Sequence, residues 1–272
     1  MTIISLLLLA SLLAHLTFTA HVNVGIVNGR EAKPHSRPYM VSVQAKEHHT
    51  CGGCLISNNY VMTAAHCRND APVLTVVLGA HDLKKSENSF RYTVDSYHQH
   101  PNYTKGSFVN DILLLKVTNC TYLVDILNFH AEKQPLQKNV QLNDNIKWIS
   151  IPEEGSIIEA GSVCSVAGWG SLEAKGNKSD HLMETDVKVM NNTECEHKWG
   201  KKYFSTSQMM CVYGKGGSCD GDSGGPLVCG NTAVGVTSFG HPDLCNSPKK
   251  PEVYTKISAY LTWIKSIIGK FN

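Results

Sequence analysis

Gly216-Gly217-Ser218-Cys219-Asp220-Gly221-Asp222-Ser223-Gly224-Gly225-Pro226 is the stretch on which the reading of this chain turns. It sets one hydroxyl, that of Ser223, among small residues that let a substrate carbonyl approach the backbone closely. Such a loop suits a nucleophile. As a bare pattern, Gly221-Asp222-Ser223-Gly224-Gly225 also satisfies G-x-S-x-G, the strand-to-helix elbow of α/β hydrolases. Chain order separates the two readings, because that elbow needs an acid and then a histidine after the serine. Downstream of Ser223 the only histidine is His241, which precedes the acids Asp243 and Glu252. Upstream lie Thr63-Ala64-Ala65-His66-Cys67 and Asn110-Asp111-Ile112-Leu113-Leu114-Leu115, which give the order His, Asp, Ser.

A neutral hydroxyl is a poor nucleophile, so amide hydrolysis at Ser223 needs a base, and His66 supplies one. The carboxylate of Asp111 would select the imidazole tautomer and stabilise the imidazolium. These three contexts resemble the chymotrypsin-like, trypsin-fold serine proteases. The resemblance implies an all-β chain of two six-stranded antiparallel β-barrels with a C-terminal helix, covering residues 26–272. It implies catalytic His66, Asp111 and Ser223, an acyl-enzyme, and an oxyanion hole made of the backbone amides of Gly221 and Ser223. Ser238-Phe239-Gly240 resembles the edge along which the family lays its substrate as an added strand. Phe239 is expected to be a packed aromatic as well.

The residues themselves agree with an all-β reading. Met40-Val41-Ser42-Val43 and Leu74-Thr75-Val76-Val77-Leu78 read as short antiparallel strands between turns. Gly-rich turns in a chain of this size suit a pair of closed barrels. Tyr254 to Ile268, with Ile257, Leu261, Ile264 and Ile268 at helical spacing, reads as a terminal amphipathic helix packed on the body.

The chain has 272 residues, ten cysteines and a formal charge of +2, so no nucleic-acid or acidic-surface partner is called for. Lys84-Lys85, Lys201-Lys202 and Lys249-Lys250 read as solvated surface, with a proteoglycan patch as the alternative. An apolar run around Leu6-Leu7-Leu8-Leu9-Ala10 makes residues 1–20 a signal peptide rather than a membrane anchor, since it falls short of roughly 18 residues. Four N-x-[ST] sequons, at Asn102, Asn119, Asn177 and Asn191, suit the same secretory route.

Residues 21–25 are then a short propeptide, and Ile26-Val27-Asn28-Gly29 resembles the family's mature amino terminus. The resemblance implies that the freed ammonium of Ile26 pairs with Asp222. Gly25 is neither Lys nor Arg, so a trypsin-like activator is not expected to make the cut. Gly29 to Met40 resembles the granzyme and mast-cell protease branch, including chymases and duodenase, whose members are stored in immune-cell granules. Expected partners are protein or peptide substrates, with a proteoglycan or a serpin-type inhibitor also allowed, and the protein is expected to be a monomer.

Matched to the family, the cysteines pair as Cys51 with Cys67, Cys164 with Cys229, Cys195 with Cys211, and Cys219 with Cys245. Cys54 and Cys120 are left over. Cys51-Gly52-Gly53-Cys54 has no second C-x-x-C to complete a zinc site, so no metal is expected. Ala80-His81 replaces the acidic pattern of calcium-binding trypsins. No cofactor is expected either.

From Val117 to about Lys133 the sequence departs from the family. Two readings stand: a surface loop between the barrels, tolerated because closure entropy grows slowly with length, or a translated intron. Tryptic peptides from this segment in the natural protein would exclude the intron.

The resemblance also implies a primary specificity pocket. Where trypsins place an Asp six residues before the nucleophile, this chain has Gly217, followed by Ser218, which favours apolar or aromatic side chains. Glu252 stands where most relatives have Gly, on the pocket wall, and returns a carboxylate. Mixed acceptance of aromatic or apolar and of Lys or Arg side chains follows if Glu252 points inward; pairing with Lys249 or Lys250 is the alternative. A catalytically silent homologue that binds glycosaminoglycan or protein is the rival function.

Overall fold

β-Branched and aliphatic residues pack well on a pleated surface, and the segments rich in them are strands in the computed structural model of the chain, which describes residues 26–68, 73–86, 88–121 and 136–269. The first half contributes β1 (Arg30–Glu31), β2 (Met40–Ala45), β3 (His48–Ser57), β4 (Tyr60–Thr63), β5 (Leu74–Leu78), β6 (Phe90–Gln99), β7 (Leu113–Thr121) and β8 (Leu136–Lys138). The second contributes β9 (Val163–Gly168), β10 (Met183–Val189), helix α1 (Asn192–Trp199), β11 (Met209–Tyr213), β12 (Pro226–Cys229), β13 (Thr232–Phe239), β14 (Glu252–Lys256) and helix α2 (Leu261–Ile268). The expected signal peptide and propeptide, residues 1–25, lie outside the described residues.

Two closed six-stranded antiparallel barrels result. In the first, the order β4-β3-β2-β5-β6-β7 is closed by pairing of β4 with β7, and β8 adds to β7. In the second, β10-β11-β14-β13-β12-β9 is closed by β9 on β10, and β1 adds to β10. Closure removes the open edges that separate sheets would expose. Val41, Leu55, Val76 and Leu114 fill the first core, and Val166, Val187, Leu227 and Tyr254 the second.

Each end of the described chain reaches across the molecule. Ile26 is fully buried in the core of the second barrel, although the strands from β2 to β7 build the first. At the other end, Ile257, Leu261 and Ile264 are buried against the core of the first barrel. This corrects part of the helix expected over Tyr254 to Ile268, because Tyr254 and Thr255 belong to β14, which pairs with β11 on one side and β13 on the other. Both backbone edges are satisfied there, which outweighs a periodic pattern that a strand cannot display. The helix proper starts at Leu261. Among the described residues no helix is long and apolar enough to cross a membrane.

The segment expected to depart from the family opens on a barrel strand: Val117 is fully buried, pairs with Val94 and continues β7. The strand runs on to Thr121 and returns as β8 in a hairpin whose connecting residues, 122–135, lie outside the described residues, as does the side chain of Cys120.

Disulfides join Cys51 to Cys67, Cys164 to Cys229, Cys195 to Cys211, and Cys219 to Cys245. A native bridge of this kind contributes about 2–4 kcal/mol. Cys54 is unpaired and sealed inside the first barrel, where burial pushes its thiol up to about 12. A thiol in that state is an inert apolar side chain.

Candidate active site

The site forms where the two barrels meet. His66 lies on a short 3-10 turn, Ala65–Arg68, directly after β4, and the Cys51–Cys67 bridge ties that turn to β3. Asp111 precedes β7 and is fully buried. Its Oδ1 accepts the backbone N–H of His66 at 2.9 Å, and its Oδ2 lies 2.7 Å from His66 Nδ1. The bond at Nδ1 fixes a proton there and leaves Nε2 free to accept one. Ser238 Oγ donates to the same Oδ2 at 2.6 Å, and Thr255 Oγ1 donates to the Asp111 carbonyl at 3.0 Å. Two segments of the second barrel therefore hold an acid of the first.

The preceding residue anchors this corner. Asn110 has a φ of 58°, its Nδ2 donates to the Asn102 carbonyl, and its Oδ1 accepts from Gln208 and Tyr260. Asn tolerates that left-handed conformation better than most residues.

Ser223 arrives from the loop between β11 and β12. Its carbonyl accepts the Gly52 N–H at 2.8 Å and lies 3.6 Å from Cys67 Sγ, which brings the serine beside the turn that carries His66. Around it the N–H groups of Asp222, Gly224 and Gly225 are all bonded, to the carbonyls of Cys219, Thr237 and Asp222. Among the described residues the N–H groups of Gly221 and Ser223 have no hydrogen-bond acceptor. Two donors left open beside the expected nucleophile have the disposition that an oxyanion requires. Gly221 has a φ of 100°, which a residue with a Cβ rarely adopts.

The Gly221 peptide is fixed from behind by His49. Its Nε2 bonds to the Gly221 carbonyl at 3.0 Å, and its Nδ1 lies 2.8 Å from Ser42 Oγ. Burial, with the Lys178 ammonium nearby, pushes His49 down to about 4, so the ring is neutral at physiological pH. Its Nε2–H donates to Gly221 while Nδ1 accepts from Ser42.

Asp222 points away from the site. Its Oδ1 accepts the Gly170 N–H at 2.8 Å and its Oδ2 the Cys219 N–H at 2.9 Å. The residue is buried, and desolvation pushes the carboxyl up to about 7 despite these bonds. Ile26 is in the neighbouring core, and the adjoining Val27 carbonyl accepts the Gly217 N–H at 3.1 Å.

Glu252 points inward. It is 6% exposed, and its Oε2 accepts the Ser218 N–H at 2.8 Å, Ser218 Oγ at 2.6 Å and the Tyr254 hydroxyl at 3.2 Å. Burial raises its pKa, and these bonds offset that rise in part. Gly217 is required beside it, since a Cβ there would collide with Glu252 Oε1.

Ser238-Phe239-Gly240 borders the same region. β12 pairs with β13 only as far as Val236, after which the Gly224 and Gly225 peptides bond to Thr237. The segment beyond is a free edge on that side among the described residues. Phe239 is flanked by Phe108, whose ring centroid is 4.2 Å away, and by Trp199, edge-on at 5.0 Å. The sequence reading missed Phe108, Trp199, His49 and Tyr254, as well as the bond from Ser238 to Asp111. None lies in a motif, and the aromatics are separated in the chain by tens of residues. His49 stands two residues before Cys51, a spacing that carries no meaning until the Gly221 peptide is folded onto it.

The Cys51-Gly52-Gly53-Cys54 run forms no ligand set, because the sulfur of Cys51 is bonded to Cys67. The sequons at Asn102, Asn177 and Asn191 are exposed, and Asn191 also caps α1 by accepting the Thr193 N–H.

Residues 26–264 match the family model described as Trypsin. Among curated proteins, mouse (Mus musculus) granzyme B(G,H) is 35% identical over 93% of this chain and 96% of its own length. Bovine (Bos taurus) duodenase-1 is 34% identical over 91% of this chain and 90% of its own length. Among solved structures, neuropsin, a serine protease of mouse brain, superposes with a TM-score of 0.75 at 32% identity, covering 89% of this chain and all of the other. The chain belongs to the trypsin family and is a serine endopeptidase related to the granzymes.

Proposed function

We propose that Ser223 is the nucleophile of this protease, that His66 takes its proton and returns it to the leaving amine, and that Asp111 orients and stabilises the imidazolium. The N–H groups of Gly221 and Ser223 receive the oxyanion, each worth about 2.7–4 kcal/mol in the transition state. Ser223 Oγ forms an ester with the acyl half of the substrate as the peptide C–N bond breaks, and water then hydrolyses that ester. The observation that carries this reading is the buried Asp111 carboxylate gripping His66 by both ring and backbone.

The substrate lies along Ser238-Phe239-Gly240, and its P1 side chain, the residue before the cleaved bond, enters a pocket formed by Gly217, Ser218 and Glu252. An inward carboxylate with an otherwise uncharged floor supports mixed P1 acceptance, aromatic or apolar alongside Lys and Arg. The protein is made as a precursor with a signal peptide over 1–20 and a propeptide over 21–25, is secreted or stored in granules, and carries N-glycans. After cleavage at Ile26, the new ammonium pairs with Asp222 and orders the adjoining Gly221 and Ser223 peptides.

The test is a P1 panel on protein processed to Ile26, with active sites counted by a serine-reactive phosphonate. Stoichiometric labelling of Ser223 is expected. Glu252→Gln should lower cleavage after Lys and Arg by about 10- to 100-fold relative to Phe, roughly 1.4–2.7 kcal/mol. No labelling would leave a binding protein in place of a catalyst, and equal losses on both substrate types would remove Glu252 from specificity.

A further inference from the structure

The two oxygens of Glu252 are treated differently by the fold. Oε2 takes the three bonds from Ser218 and Tyr254, whereas Oε1 is buried without a hydrogen-bond partner beside Gly217. The loop before β12 presents Ser218 and, further in, the carboxylate of Asp222, whose hold on its proton the charge of Glu252 strengthens. β14 itself presents the Tyr254 phenol, and burial beside Glu252 keeps that phenol protonated. From the loop before β14 the Asn246 backbone N–H faces Glu252 without closing a bond to Oε1, and Gly240 adds only its Cα. Among the described residues no Lys or Arg forms an ion pair with Glu252, which also excludes the pairing with Lys249 or Lys250.

A carboxyl with one saturated oxygen and one bare oxygen can gain or lose a proton at the bare oxygen without rearranging its supports. We infer that protonation of Glu252 at Oε1 switches the pocket between an anionic state that takes P1 Lys or Arg and a neutral state that takes P1 aromatic side chains, so that pH sets the cleavage preference of this protease. The inference rests on the reading of Glu252 as a P1 determinant and adds its regulation. Burial raises the pKa of this carboxyl, which moves the switch toward the neutral range. A P1 ammonium favours the ionised form and lowers the pKa in the complex, and a phenyl ring excludes water and raises it. As pH falls below the Glu252 pKa, binding of P1 Lys therefore weakens relative to P1 Phe.

The experiment uses protein processed to Ile26 and two peptides that differ only in Lys or Phe at P1. Their kcat/KM values are measured from pH 5 to 9, and the Lys-to-Phe ratio is taken at each pH. Titration of any group that serves both substrates alike cancels in the ratio. The wild-type ratio is expected to rise with pH, by up to about tenfold per unit, and then level off. In Glu252→Gln it should be low and independent of pH. A flat wild-type ratio, with Lys cleavage still lost in Glu252→Gln, overturns the switch but leaves Glu252 in the pocket. A ratio in Glu252→Gln equal to wild type at pH 8 overturns the P1 reading, and the switch with it. The same slope in both proteins places the titrating group elsewhere and also overturns the switch. If Glu252→Gln fails to fold, the wild-type profile alone decides, since a flat ratio is incompatible with the inference.

Discussion

Ser238 Oγ and Asp111 Oδ2 are 2.6 Å apart, and the same oxygen lies 2.7 Å from His66 Nδ1. The serine belongs to the second barrel and the acid to the first, so this bond reaches across the site and holds the face of the carboxylate that orients the imidazole. A hydrogen bond to a charged group is worth about 1.5–3 kcal/mol. Ser238→Ala is therefore expected to lower kcat by roughly tenfold, with KM changed by less than about twofold, since the substrate edge is backbone. Asp111→Asn, which turns the imidazole to the wrong tautomer, should cost about 10⁴ in kcat. Steady-state kinetics on the two variants separates these effects, and a large change in KM for Ser238→Ala would place its side chain in substrate binding instead.

Three groups acting as one unit give losses that do not add. His66→Ala and Ser223→Ala should each lower kcat by about 10⁶, and the double variant should fall less than about tenfold further. Multiplied losses would mean that the two residues act independently.

Asp222 gives the precursor a pH signature. With Gly25 still attached, its carboxyl is pushed from 3.8 up to about 7 by burial. Between those values the folded precursor keeps a proton that the unfolded chain has released, so its stability falls as pH rises through that interval. Once Ile26 carries a free ammonium, the ionised carboxylate is favoured, and the pair's stabilisation is present at neutral pH. That stabilisation fades as pH rises through the raised pKa of the amine. Thermal unfolding of Ser223→Ala protein, uncut and cut at Ile26, should show a larger fall in Tm from pH 5 to 7.5 for the uncut form. Asp222→Asn should flatten the uncut curve. The uncut wild type should also hydrolyse peptides at less than about 1% of the rate of the cut enzyme, the roughly 3 kcal/mol that a broken buried pair withdraws. Parallel Tm curves, or full activity before cleavage, would count against this activation mechanism.

Much of the candidate site was legible because the residue types it is expected to use stand in contiguous motifs. The serine loop, the histidine turn and the segment around Asp111 each carry their own context, and their order along the chain excluded the competing hydrolase. Barrel strands such as β2 and β5 were legible for a similar reason, since side-chain alternation is a local property. The end of the chain was less so: Ile257, Leu261 and Ile264 fit a helical stripe, but Tyr254 and Thr255 are strand because β11 and β13 offer partners that sequence spacing does not reveal.

The sequence alone determined the chain order of His66, Asp111 and Ser223, the absence of an acid at Gly217 and the presence of one at Glu252. Only the tertiary structure decided where Glu252 points, that Ser238 rather than a neighbour of Asp111 steadies the acid, and that His49 holds the Gly221 peptide. Residue type fixes which bonds a side chain can make, and that is carried by every position separately. Which bond is made depends on distance and desolvation, and both arise only when barrels built from different halves of the chain are packed against each other.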